Sequence, residues 1–252
     1  MPADSPTSFF DGIEQSPVST SAGSCDLPIL YRDGAVLGLM YRVAPELVEP
    51  LIPDRDTFEP FTLMGKAIVQ LVVFEYRDTS IGPYNEVALA VEIQRRGSSP
   101  STWGALVDAR SQPDYGSTFL NLPVTTAAAC AAGREIWGYL KYVVEIDTSF
   151  TTEKVHAVQR GEFELEVGPA SWLETDGIPF VLMSRKDGRT VRTIVETGHR
   201  LKWGGAGSVK LKLLGAGPTA DNLRALGLDA KTPSFVWRSY AMRSILPAGE
   251  LL

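Results

Sequence analysis

The sequence predicts an α+β fold dominated by an antiparallel β-sheet, curved or closed into a cone or barrel, with a few short helices. Three observations predict it. Eight segments carry β-branched, aromatic or alternating residues. The helical segments are few and short. The connections draw on 23 glycines, the usual punctuation of a chain that turns often.

Taken in order, residues 1–25 are rich in Ser, Pro and Thr, with Phe9 and Phe10 the only bulky pair. They lack the basic start and long apolar stretch of a secretory signal, and read as a flexible tail free to pack on a neighbouring subunit. Residues 26–252 show no repeat and no break in composition, and are expected to form one domain. Strands are expected at Val36–Arg42, Ala67–Glu75, Val87–Ile93, Tyr139–Ile146, Val155–Val167, Phe180–Ser184, Arg189–Glu196 and Ser208–Leu214. In the last, Val209, Leu211 and Leu213 alternate with Lys210 and Lys212, which predicts one buried and one wet face. Lys186-Asp187-Gly188 reads as a hairpin turn. Pro45–Leu51 is expected to form one or two helical turns closed by Pro53. Thr125–Ala132 is Ala-rich and is expected to stop at Gly133. Thr219 is expected to cap a helix from Ala220 to Leu226.

The formal charge of −6 argues against a nucleic-acid partner, which needs a basic face. No apolar run approaches the length of a bilayer span, so no membrane partner is expected. Two cysteines, Cys25 and Cys130, suggest no disulfide framework and fit a reduced, cytoplasmic protein. His156 and His199 are isolated, with no metal-ligand spacing between them. Gly-x-Ser-x-Gly and the phosphate loop are missing, and Gly204, Gly205 and Gly207 lack dinucleotide-loop spacing. Lysine and carboxylate chemistry remain open, with no metal or organic cofactor expected.

The most informative run is Gly133-Arg134-Glu135-Ile136-Trp137-Gly138-Tyr139-Leu140-Lys141-Tyr142. If Tyr139–Ile146 is one strand, Leu140, Tyr142, Val144 and Ile146 form its core face. Tyr139, Lys141, Val143 and Glu145 form a mixed face. On periodicity alone Lys141 is a solvent-facing residue near Glu145. Were the mixed face to line a barrel, burial would instead favour a neutral amine able to attack a ketone.

That run resembles the active-site segment of acetoacetate decarboxylases: Gly-Arg-Glu, a few apolar residues, then an aromatic, Pro, Lys, Lys. Upstream, Asp78-Thr79-Ser80-Ile81-Gly82-Pro83-Tyr84-Asn85-Glu86 is similar to the family's turn ending in Tyr-x-Glu. Weaker likeness extends from Leu39-Met40-Tyr41-Arg42 to Ile245-Leu246-Pro247. The resemblance implies a cone-shaped β fold in a homo-oligomer, Lys141 as the Schiff-base lysine and Glu86 as an active-site glutamate. It departs where Pro-Lys-Lys becomes Leu140-Lys141-Tyr142, which removes the second lysine. The family's second carboxylate has Val72 or Gln70 nearest, and its arginine falls near Arg32. Without the resemblance, Glu86 reads as a solvated residue after a turn, and Arg134 and Glu135 as an ion pair or turn residues.

The expectation is a Schiff-base lyase that decarboxylates a small β-keto acid. Lys141 and Glu86 are its catalytic residues, and Arg32, Gln70, Tyr139, Tyr142 and Tyr240 surround the substrate. A pyruvate-dependent aldolase–dehydratase using the same imine is the alternative, with Tyr142 or Tyr240 as its acid–base group. A barrel that only binds a small apolar ligand is a third reading.

Overall fold

The computed structural model describes residues 8–169 and 173–252. Seven strands close into a barrel: Ile29–Val43, Lys66–Thr79, Tyr84–Arg95, Tyr115–Val124, Phe180–Lys186, Arg189–Thr197 and Ser244–Leu246, which pairs back onto the first. All neighbours run antiparallel except Tyr115–Val124 beside Phe180–Lys186. The long strands are apolar on both faces because both are covered. On Lys66–Thr79, Val69, Leu71 and Val73 face outward, while Gln70, Val72, Phe74 and Tyr76 face the barrel interior.

The outward face packs against a four-stranded meander of Ile146–Phe150, Val155–Gln159, Phe163–Val167 and Val209–Leu213. Fully buried Leu71, Leu89, Phe163 and Leu165 sit in this layer, and each stabilises the fold by about 1.5–3 kcal/mol. Val209, Leu211 and Leu213 pack on this core while Lys210 and Lys212 stay exposed, as their alternation predicts. The Asp187-Gly188 hairpin also forms, with φ of 49° and 76° joining Lys186 to Arg189.

Five expectations are corrected. The tail does not run to residue 25: Ser16–Thr20 pairs with Gly23–Leu27, and Cys25 is buried beneath them. Ser21 fastens this hairpin by donating its N–H and hydroxyl to the Glu135 carboxylate, so Glu135 is neither a turn residue nor an ion-pair partner of Arg134. Residues 1–7 lie outside the described residues. Val155–Val167 is two strands joined at Gly161. The Ala-rich helix does not stop at Gly133 but spans Ala127–Trp137, capped by Thr126, whose hydroxyl accepts from Ala129 N. The helix near residue 220 spans Pro218–Ala225 with Gly217 at its cap, so Thr219 lies inside it. Glu162 does the capping instead, accepting from Thr219 N and Ala220 N.

Candidate active site

The position of Lys141 follows from where the Ala127–Trp137 helix ends. Gly138 adopts φ 74°, the left-handed turn that terminates a helix, and a side chain there would collide with the Arg185 carbonyl. The chain then enters the short strand Lys141–Val143, which runs parallel to Leu122–Val124 on the barrel wall. Tyr139–Ile146 is therefore not one strand, and its faces are reversed from the expectation over Tyr139–Lys141, while Ile146 is buried and Val143 exposed as expected. Leu140 is 47% exposed, whereas Tyr139 and Lys141 are buried.

Inside the barrel Lys141 is 7% exposed, and its amine lies 2.5 Å from the carboxylate of Glu86, a residue 6% exposed. Glu86 stands within the strand Tyr84–Arg95, opposite Phe74 and Val124, and is not a solvated turn residue. Tyr76 donates its hydroxyl to the other Glu86 oxygen at 3.5 Å. Tyr31 and Tyr84 share a hydroxyl–hydroxyl bond of 3.0 Å, and the amine stands 5.6 Å from the Tyr84 ring centre. Burial first, and the Glu86 charge with it, pushes the Tyr31, Tyr76 and Tyr84 phenols above their ordinary range. All three therefore stay protonated as hydrogen-bond donors.

A cavity of about 90 Å³ extends from this cluster, several times the ~10–15 Å³ a single water needs. Its far end is polar. Gln70 accepts from Trp237 Nε1 at 3.1 Å and donates to Glu92 at 2.7 Å. Glu92 also accepts from Tyr115 at 2.8 Å and Ser117 at 2.9 Å, so this buried carboxylate is held by neutral donors.

Of the residues expected at the site, Lys141, Glu86, Gln70 and Tyr139 line this one cavity. Arg32 does not: it pairs with Asp78 on the surface, its side chain 41% exposed. Tyr142 points to the opposite side of its strand, bonding Thr219 at 2.9 Å and Glu162 at 3.3 Å. Tyr240 donates to the Thr151 carbonyl outside the barrel. Side-chain direction decides these three: adjacent strand residues face opposite sides, so Tyr142 cannot share Lys141's side. Sequence reasoning missed Tyr31, Tyr76, Tyr84, Trp237 and Glu92. Tyr76 carried a readable signal, since it shares the parity of Gln70 on one strand. Among the described residues, no three His, Cys, Asp or Glu side chains are grouped to hold a metal ion.

Solved structures share this fold. The acetoacetate decarboxylase of Legionella pneumophila subsp. pneumophila str. Philadelphia 1 is 15% identical, with a TM-score of 0.66 over 97% of this chain and 93% of that one. The enduracididine biosynthesis enzyme MppR complexed with pyruvate is 14% identical, with a TM-score of 0.57 over 94% of this chain and 98% of that one. No curated protein sequence matches. The description "Acetoacetate decarboxylase (ADC)" matches residues 15–171, more than half of the sequence, and the chain belongs to the acetoacetate decarboxylase family.

Proposed function

We propose that the protein is a carbon–carbon lyase that decarboxylates a β-keto acid through an imine on Lys141. One observation carries the reading: a buried amine in contact with a buried carboxylate, inside a barrel cavity whose wall is otherwise largely apolar. Glu86 takes a proton from the ammonium, and the freed amine attacks the ketone carbon. Glu86 returns that proton to the carbinolamine hydroxyl, water leaves, and an iminium remains. The bond to the carboxylate carbon breaks, CO₂ departs, and the electron pair passes into the enamine. Glu86, reprotonated from solvent, protonates the enamine carbon, and water hydrolyses the new iminium to ketone and ammonium. The iminium is itself the electron sink, so the cycle calls for no metal or organic cofactor. One hydroxyl of the Tyr31–Tyr84 pair donates to the other and leaves the acceptor's own O–H for a substrate oxygen.

The test is borohydride reduction in the presence of a panel of β-keto and 2-oxo acids, followed by peptide mass spectrometry. Ligand mass on the Lys141 peptide, together with CO₂ release, is the expected result. No adduct across the panel would return the protein to a small-ligand-binding barrel.

The pyruvate-dependent aldolase–dehydratase is the second reading. It is favoured by a lining that continues from Lys141 and Glu86 to Gln70, four residues further along the strands, where a second reactant could lie. Solved complexes of MppR hold pyruvate and the condensation product of pyruvate and imidazole 4-carboxaldehyde, on a shared fold. Consumption of an added aldehyde without CO₂ release would decide for it.

A further inference from the structure

We propose that the cavity selects an elongated carbonyl substrate, with a narrow apolar body and an uncharged hydrogen-bond acceptor at the end remote from Lys141. The inference rests on the imine reading above and names its substrate class. The strand register sets the length. Glu86 lies opposite Phe74, and Gln70 lies opposite Ala90, four residues further along both strands. At the usual strand rise that is about 13 Å between the amine end and the amide end. Acetoacetate or pyruvate would fill only the lysine end.

The lining between the two ends sets the character of the body. Val72, Ala88, Phe119, Leu122, Leu182 and Val195 offer no polar side-chain group. A volume of about 90 Å³ shared along that length suits a slender body better than a bulky one. An unbranched chain or a ring entering edge-on is favoured over a branched body.

The polar end sets the remote group. Gln70 is held at both ends of its amide, by Trp237 and by Glu92. Its second N–H remains for a ligand, and a half-buried amide donor beside an apolar lining gains from an acceptor placed there. Lys141 is the only cation among the described lining residues, whereas Glu92 stands directly behind Gln70. A substrate carboxylate there would face a like charge with no cation to offset it. An amide, ester, ketone or ether oxygen would accept from Gln70 without that cost.

The experiment uses the intact protein and unbranched methyl ketones of increasing length, ending in a methyl group, a methyl ester or a carboxylate. Borohydride labelling of Lys141 should strengthen with length, by about fourfold per methylene buried. At full length the ester should label best and the carboxylate worst. Gln70→Leu should remove the ester's advantage, roughly fivefold for one neutral hydrogen bond, and keep the dependence on length. Equal labelling by acetone and by the longest ketone overturns the inference while leaving the imine reading standing. The corresponding secondary alcohols, titrated by calorimetry, read the cavity without chemistry. Affinity that climbs with length supports the inference even where no imine is trapped, and affinity that does not change with length overturns it.

Discussion

The stem of Lys141 occupies the space that a side chain at Gly133 would need. A Cβ built on Gly133 would stand 2.6 Å from Lys141 Cε, nearer than carbon atoms approach, and 3.1 Å from Cγ, a tight contact. Gly133 sits inside the helix Ala127–Trp137, where glycine costs about 1 kcal/mol relative to alanine. Here the missing side chain lets the lysine lie against the helix and reach Glu86. In Gly133→Ala the helix gains about 1 kcal/mol and overpacking costs about 1–3 kcal/mol. Urea unfolding should therefore show a small net loss, while borohydride labelling of Lys141 falls sharply. Undiminished labelling would mean that the stem has room to move aside.

Lys141 and Glu86 form a buried pair, so neither can be removed alone without consequence for folding. Reading Lys141 as a solvent-facing residue, and Glu86 as a solvated residue after a turn, would leave stability untouched in each single variant. The contact reverses that expectation. Lys141→Met or Glu86→Gln alone leaves a buried charge without its partner, a loss of about 3–5 kcal/mol. The double variant removes both charges and should recover much of it. A cycle measured by chemical denaturation checks this, and additive losses would contradict the coupling.

How the site was legible, and where it was not, turns on a few residues. Lys141 stood out because a single lysine interrupts an apolar, aromatic run. Its face was misassigned because Gly133 was taken as the helix stop, which made Tyr139–Ile146 a single strand. The stop is Gly138, whose φ of 74° ends the helix five residues later and turns Tyr139 and Lys141 inward. Period-two apolar patterns disclosed most of the long strands and hence a curved sheet. They did not disclose Tyr115–Val124, where polar residues and a proline interrupt the pattern, nor Ser244–Leu246, only three residues long. Barrel closure depends on both, through pairings between distant segments that local pattern does not encode. Glu92 shares the parity of Glu86 on its strand, but nothing in the sequence shows its partners. Only the fold brings Gln70, Tyr115 and Ser117 to its carboxylate.

His199 should make stability fall on mild acidification. It is buried, its Nδ1 faces the Arg243 carbonyl at 3.4 Å, and its Nε2 has no partner among the described residues. Burial foremost, with the Arg243 charge adding, pushes its pKa below the ordinary 6.5, while the carbonyl opposes the shift. Between the folded value and 6.5 the unfolded chain binds the proton and the folded chain does not. The contribution is thus fully present above about 6.5 and is lost as pH falls through the folded value. Denaturation midpoints across that window should fall more steeply in the native protein than in His199→Gln. Parallel curves would show that the imidazole is protonated without resistance.

Tyr142 should leave the reactivity of Lys141 unchanged and matter for stability instead. It occupies the place of the family's second lysine, and a cation sharing the amine's pocket would ease deprotonation. The two side chains do not share a pocket. The Tyr142 hydroxyl bonds Thr219 at 2.9 Å and receives Gln159 Nε2 at 3.1 Å. This cluster fastens the Pro218–Ala225 helix to the barrel, and burial foremost raises the Tyr142 phenol above its ordinary value. Tyr142→Phe should cost about 1 kcal/mol for the lost hydrogen bonds and leave imine formation against pH superimposable on the native profile. Tyr142→Lys forces an ammonium into the half-buried cluster beside Glu162 and should destabilise further, again without moving the pH profile. Rates of borohydride-trapped imine measured across pH for the three proteins decide it. An acidic limb displaced to lower pH in Tyr142→Lys would show that position 142 communicates with the amine through the strand.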